Sequence, residues 1–127
     1  MTNVPESLRY TKDHEWAKIE GNRVRVGITD HAQSELTDVV YVELPPAGKA
    51  VKQGDVLGTV ESVKAVSEIF APVSGKVVEV NKALEDSPEQ VNKDPYGSGW
   101  MVVLEPSDAA EATSLLDAGA YRKLIGA

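Results

Sequence analysis

Gly54-Asp55-Val56-Leu57-Gly58-Thr59-Val60-Glu61-Ser62-Val63-Lys64-Ala65-Val66-Ser67-Glu68-Ile69-Phe70-Ala71-Pro72-Val73-Ser74-Gly75-Lys76-Val77-Val78-Glu79-Val80 is the stretch that decides the fold. Its β-branched runs, Val56 to Ser62, Ala65 to Ala71 and Lys76 to Val80, predict three consecutive strands. Only Val63-Lys64 joins the first two, so a single lysine stands at the tip of a hairpin, where a tight turn pushes its amine into solvent. Gly54 and Gly75 bracket the hairpin as turn points, since glycine accepts positive φ. A lysine taken at random is an ordinary solvated residue. Here the flanking side chains are small or aliphatic, which leaves Lys64 no local partner but Glu61.

Working outward, Trp16 to Glu20 and Val24 to Ile28 read as strands joined by Gly21-Asn22, a pair suited to mirror-image hairpin turns. Asp30 with Gln33 reads as a capping box opening a short helix through Leu36. Val39 to Leu44 alternates and stops at Pro45-Pro46, which cannot donate to a sheet ladder. Asn81 to Gly99 is rich in turn-forming residues and reads as a long surface loop, followed by a strand from Trp100 to Leu104 that ends at Pro106. Asp108 and Glu111 form a second capping-box pair, with Ala112, Leu115 and Leu116 on one apolar face of a helix ending near Gly119 and a last turn over Tyr121 to Ile125. The C-terminal helical segment thus spans 107–125. Short strands at this spacing predict an all-β fold, a small sandwich or barrel trimmed with helices, in one domain over 1–127.

Bulk properties exclude several functions. Twenty acidic against thirteen basic residues give a formal net charge of −7, which repels a phosphate backbone and argues against nucleic acid. The acidity suits docking on basic patches and equally keeps a protein soluble. The chain contains no cysteine, so side-chain dithiol chemistry, thiolate metal sites and cysteine nucleophiles are excluded, and any redox chemistry has to be attached or bound. Met1 to Tyr10 resembles neither a secretory signal nor a transit peptide, and no apolar stretch approaches the roughly 20 residues that span a bilayer. A cytoplasmic monomer is the expectation.

Other signals are weaker. His31 and Glu35 are four apart on the expected helix, but two ligands do not make a metal site. His14 is the only other histidine and has no nucleophile elbow to serve. Gly97-Ser98-Gly99 lacks the lysine of a phosphate loop and reads as a turn. Trp16, Phe70 and Trp100 read as core or interface residues. No metal is expected.

The Glu61-Ser62-Val63-Lys64-Ala65 core followed by Ala71-Pro72-Val73-Ser74-Gly75-Lys76-Val77 resembles the lipoyl-attachment region of lipoyl domains. Biotinyl domains are similar in fold but carry methionines beside the lysine, where Val63 and Ala65 stand here. His14-Glu15-Trp16, Gly27-Ile28-Thr29-Asp30-His31-Ala32-Gln33, Val40-Tyr41-Val42-Glu43-Leu44-Pro45, Asp94-Pro95-Tyr96-Gly97 and Gly99-Trp100 extend the likeness along nearly the whole chain. Together they resemble the H protein family of the glycine cleavage system.

The resemblance implies a barrel-sandwich hybrid of the lipoyl/biotinyl type, with the lipoyl hairpin within about 51–81. It implies a non-catalytic carrier with lipoate bound covalently to Lys64, and Glu61, Ser62, Val63 and Ala65 as the context the lipoylating enzyme reads. The arm accepts an aminomethyl group from a pyridoxal-phosphate glycine decarboxylase, passes it to an aminomethyltransferase using tetrahydrofolate, and is reoxidised by dihydrolipoamide dehydrogenase. The loaded arm folds back into a cleft in this family, for which Glu15, Thr29 and Glu68 are the candidates, with the helix near Thr29 to Leu36 as a wall. Two alternatives stand beside this reading: a relay that donates lipoyl groups to other enzymes, and an unmodified domain that retains the fold.

Overall fold

The computed structural model describes residues 2–126, which form two antiparallel sheets around a common core. Nine strands, β1 (Arg9–Tyr10), β2 (Glu15–Glu20), β3 (Arg23–Ile28), β4 (Val39–Glu43), β5 (Ala50–Val51), β6 (Val56–Ser62), β7 (Val66–Phe70), β8 (Gly75–Val80) and β9 (Val102–Pro106), build it. One sheet has the order β1-β2-β3-β9-β8-β5 and the other β4-β6-β7. This is the all-β barrel-sandwich arrangement with short helices that the strand pattern and the resemblance imply.

The three strands of the deciding stretch do not form one meander. β6 and β7 pair with each other, whereas β8 crosses to the larger sheet and pairs with β9. Pro72 cannot donate to a ladder, so Ala71 to Ser74 leaves one sheet and enters the other. Ala71 and Val73 are buried on the way and join Val26, Val60, Val77 and Leu104 in the intersheet core. Gly75 is not a turn residue: it lies within β8 with no positive φ. A Cβ there would collide with the Glu105 carbonyl, so glycine is required by close approach of the strands. Gly54, with φ +91°, is the turn glycine it was expected to be.

Helix α1 (Asp30–Leu36) is capped by Thr29, whose hydroxyl accepts from the Ala32 amide. Asp30 is therefore the first helical residue, and Gln33 donates to its side chain. The capping box expected from Asp30 and Gln33 does not form: the cap is one residue earlier, at Thr29, and Ala32 stands where its side-chain partner would be.

The stretch expected as a long loop holds two short helices, α2 (Ala83–Asp86) and α3 (Gln90–Lys93). Each fixes one apolar residue, Leu84 and Val91, in the core. The turn-rich composition masked them because each contributes a single buried side chain, too little for a periodic signal.

The expected C-terminal helix is split. α4 (Ala109–Thr113) is capped by Asp108, and α5 (Ala118–Ile125) by Asp117. Gly119 lies inside α5 and ends nothing, while Gly126 in the left-handed region closes it. Glu111 turns away from the cap and accepts from the Ser74 amide and hydroxyl, tying α4 to the entry of β8. Tyr121 on α5 stacks on Tyr10 at 4.6 Å, in a second apolar cluster with Val4, Leu8, Trp16 and Ala118. That cluster clamps the chain's last helix over β1 and the start of β2.

Candidate functional site

Lys64 is exposed at the tip of the β6-β7 hairpin. The Ser62 amide donates to the Ala65 carbonyl at 2.8 Å, closing a two-residue loop. Neither Val63 nor Lys64 has positive φ, so the turn is not one of the mirror-image types that match strand twist unaided. Two other contacts hold it. The Ser62 hydroxyl accepts from the amides of Lys64 (3.3 Å) and Ala65 (3.1 Å), and the Val63 amide donates to the Asp38 carbonyl at 3.0 Å. The backbone beneath Lys64 is thus pinned from inside, and among the described residues no carboxylate lies within ion-pair distance of its amine. Ser62 is buried, so it acts through the shape of the turn, whereas Glu61, Val63 and Ala65 present their side chains to solvent.

The outer face of the smaller sheet continues from this tip. Register places Tyr41, Glu61 and Val66 in one row across β4, β6 and β7, and Glu43, Thr59 and Glu68 in the next. Tyr41 is 50 % exposed, Val66 64 % and Val63 68 %. An apolar patch edged by carboxylates therefore surrounds the lysine.

Two openings flank the inner side of β7. The nearer, about 150 Å³, lies between α1 and β7 and is lined by Asp13, His14, Ile28, Glu35, Leu36 and Ser67 among others. The second, about 330 Å³, lies at the base of the hairpin against Thr11, Glu15, Phe70, Pro72 and Leu115. Asp13 lines both. A further groove, about 730 Å³, sits by Lys52, Ser74 and Glu105, at the end of β6 away from Lys64.

Glu15 is only 1 % exposed. One carboxylate oxygen accepts from the Thr11 hydroxyl at 2.5 Å and the other from the Phe70 amide at 3.2 Å. Phe70 is on the free edge of β7, so Glu15 satisfies an amide that no strand meets. Burial pushes the Glu15 carboxyl up to about 7 against the opposing pull of these two donors.

The other two cleft candidates lie elsewhere. The Thr29 hydroxyl is buried at the α1 cap, 2.7 Å from the Tyr121 hydroxyl. Glu68 stands on the exposed outer face opposite Thr59. The three are not brought together, and of them Glu15 alone lines an opening. Ala32, Glu35 and Leu36 of α1 line one side of the smaller opening.

Asp13, His14 and Ser67 were not among the named cleft candidates, and Glu35 was expected only as part of the α1 wall. Only the acidity of Asp13 and Glu35 beside the two histidines was available as a signal. His14 has φ 69° and its Nδ1 lies 2.8 Å from the Tyr121 hydroxyl. Its ring centre is 4.7 Å from that of His31, and burial, then His31, lowers its pKa. His31 also approaches Glu35 at 3.8 Å. No group of three or more potential ligands gathers among the described residues.

Comparison with known proteins places this geometry. The family described as glycine cleavage H-protein matches residues 8–127. The glycine cleavage system H protein of Halalkalibacterium halodurans is 56% identical, covering 98% of each chain, and that of Chlorobium luteolum is 60% identical, again over 98% of each. The crystal structure of a glycine cleavage system H protein from Mycobacterium marinum superimposes with a TM-score of 0.90 at 42% identity, covering 98% of this chain and 100% of that one. With a match that spans nearly the whole length in sequence and in fold, the chain belongs to the glycine cleavage H-protein family.

Proposed function

We propose that this protein is the lipoyl carrier of a glycine cleavage system, with Lys64 as the attachment point and no reaction catalysed by its own side chains. The observation that carries the reading is the exposed Lys64, with no ion-pair partner among the described residues, on a turn pinned by Ser62 and Asp38. The amine is free to be acylated while the backbone beneath it stays in one shape for the lipoylating enzyme, and Glu61, Val63 and Ala65 are the side chains that enzyme meets.

The surroundings fit lipoate. Exposed Val63 and Val66 offer apolar contact to an aliphatic arm, and the chain has no cysteine to exchange with its disulfide. When bound, the lipoyl group supplies a disulfide that takes up the aminomethyl unit of glycine on reduction. Ser67 is three residues along β7 from Lys64 and Phe70 six, about 10 and 20 Å at about 3.3 Å per residue. The Asp13, Glu35 and Ser67 cleft is therefore nearer the tip, and the Glu15 opening lies beyond it. Asp13 and Glu35 offer negative charge to a protonated amine, and the apolar walls of Ile28 and Leu36 exclude water from it. Glu15 supplies a buried carboxylate at the far end. Thr29 contributes by capping α1, whose Glu35 and Leu36 form the wall, and Glu68 belongs to the outer docking face.

Partners follow from the same reading: a pyridoxal-phosphate glycine decarboxylase, a tetrahydrofolate-dependent aminomethyltransferase and dihydrolipoamide dehydrogenase, met in the cytoplasm by a monomeric carrier. Each docks over the acidic and apolar face around Tyr41, Glu61 and Val66. A tethered arm then keeps its reactive end at an effective concentration on the order of mM near each docked site.

Intact mass after expression with lipoate, beside Lys64→Arg, tests the attachment. Arginine keeps the charge and offers no acylable amine. A lipoyl increment on the parent and none on the variant is expected. No increment on the parent, in the presence of a competent lipoylating enzyme, means an unmodified domain.

A further inference from the structure

Thr11 sits at the centre of the loop that leads into β2. Its hydroxyl oxygen accepts from the amides of Asp13 and Glu15, both at 3.2 Å. Its carbonyl accepts from the His14 amide and its own amide donates to the Glu15 carbonyl. A hydroxyl has two acceptor sites and one proton. With both acceptor sites filled by amides, the Thr11 proton can go only outward, and it goes to the Glu15 carboxylate at 2.5 Å. The Phe70 amide, on the other side of that carboxylate, is likewise donor only. Glu15 is thus held between two groups that can give hydrogen bonds and cannot take one from it.

We propose that Thr11 is the positioning residue for Glu15: its hydroxyl, locked as a donor by the loop, fixes that carboxylate as an acceptor in the opening at the base of the hairpin, ready for a protonated amine. The inference rests on the reading of Glu15 as a carboxylate that serves the loaded arm. Other charges facing Glu15 do not substitute for Thr11. Asp13 and Lys12 stand at the rim with opposite signs, Gln53 from the β5-β6 connection is neutral, and Tyr121 on α5 is uncharged near neutrality. The opposition between burial, which favours the neutral carboxyl, and two fixed donors, which favour the charged one, makes the hydroxyl decisive near neutral pH.

The test follows the Glu15 carboxyl resonance by carbon NMR through a pH titration of the lipoylated protein, for the parent, Thr11→Val and Thr11→Ser. Valine matches threonine in shape and has no proton to give. The midpoint is expected to rise by about half a pH unit or more in Thr11→Val, from loss of one donor to the charged form, and to return in Thr11→Ser. An unchanged midpoint in Thr11→Val overturns the proposal. Should valine disturb the loop, a deuterium isotope shift on the Glu15 resonance of the parent, retained in Thr11→Ser, reports the hydroxyl directly, and its absence also overturns it. The lifetime of the loaded arm separates this from the underlying reading. Thr11→Val should shorten it about 3-fold or more near pH 7 and converge on the parent above pH 8.5, where Glu15 is charged in both. If Glu15→Gln leaves that lifetime unchanged, Glu15 does not serve the arm and the reading beneath the proposal falls, whereas the titration still decides what Thr11 does to Glu15.

Discussion

The Ser62 hydroxyl lies directly beneath Lys64, accepting its backbone amide at 3.3 Å and that of Ala65 at 3.1 Å while donating to the Ala65 carbonyl at 3.2 Å. A buried serine thereby shapes the turn that presents an exposed lysine.

Ser62→Ala should leave the sheets intact and loosen the tip. Loss of these bonds costs about 1 kcal/mol in stability. The rate of lipoylation should fall several-fold, because the enzyme then meets an ensemble of turn shapes rather than one. A mass-resolved time course with the lipoylating enzyme, beside urea unfolding, checks both, and an unchanged rate would show that turn shape is not read.

Glu15 makes stability depend on pH. Its carboxyl is raised from 4.5 to about 7 in the folded protein. Between those values the folded state binds a proton that the unfolded state has released, so the contribution is fully present below about 4.5 and is lost as pH rises through about 7. At roughly 1.4 kcal/mol per pH unit, this amounts to about 3 kcal/mol across the window. Urea unfolding at pH 5 and pH 8 should show this fall in the parent, and Glu15→Gln should flatten it. A slope of the same size in the variant would assign the effect to other groups.

Two glycine-to-alanine changes should have opposite signs. At Gly58 a Cβ would run into the Glu43 carbonyl of the neighbouring strand, so Gly58→Ala should cost about 2 kcal/mol or more by forcing β4 off β6. Gly119 lies within α5 with its nearest atom, an Asp117 carboxylate oxygen, 3.6 Å from an added Cβ, so Gly119→Ala should gain about 0.5–1 kcal/mol of helix propensity. Thermal unfolding of the two variants settles the signs.

Docking on the acidic face should weaken with salt. Glu43, Glu61 and Glu68 stand exposed around Tyr41 and Val66, and charges at a docking rim act mainly on the association rate. Transfer from the decarboxylase should slow severalfold between about 0.05 and 0.5 M salt, and Glu61→Lys should slow it at low salt. Salt-independent transfer would place the docking energy on Tyr41, Val63 and Val66 alone.

Much of this architecture is legible along the chain. β6 and β8 fall within a residue of the runs that predict them, β7 lies inside its own by one residue at each end, and Lys64 occupies the turn it was expected to occupy. These features depend on neighbours in sequence: period-two burial, two-residue connections and punctuation by proline and glycine. Where the expectation shifted, a distant group had intervened. Glu111 left its helix cap for Ser74, Gly75 is small because of Glu105, and Leu84 and Val91 are helical because the core needed one side chain from each.

By itself the sequence determined the all-β class, the hairpin, the exposed lysine and, from the absence of cysteine, that any redox group has to be attached or bound. Only the tertiary structure decided the chemistry around that lysine. Glu15 reads as one more acidic residue in a polar segment, yet β7 and the loop at Thr11 close over it and leave it two donors. Thr29 and Glu68 look equally suited in the sequence and end in a helix cap and on an open face. Burial and hydrogen-bond partners come from chain segments that meet only on folding, some 55 residues apart for Glu15 and Phe70, and no local pattern encodes such a meeting.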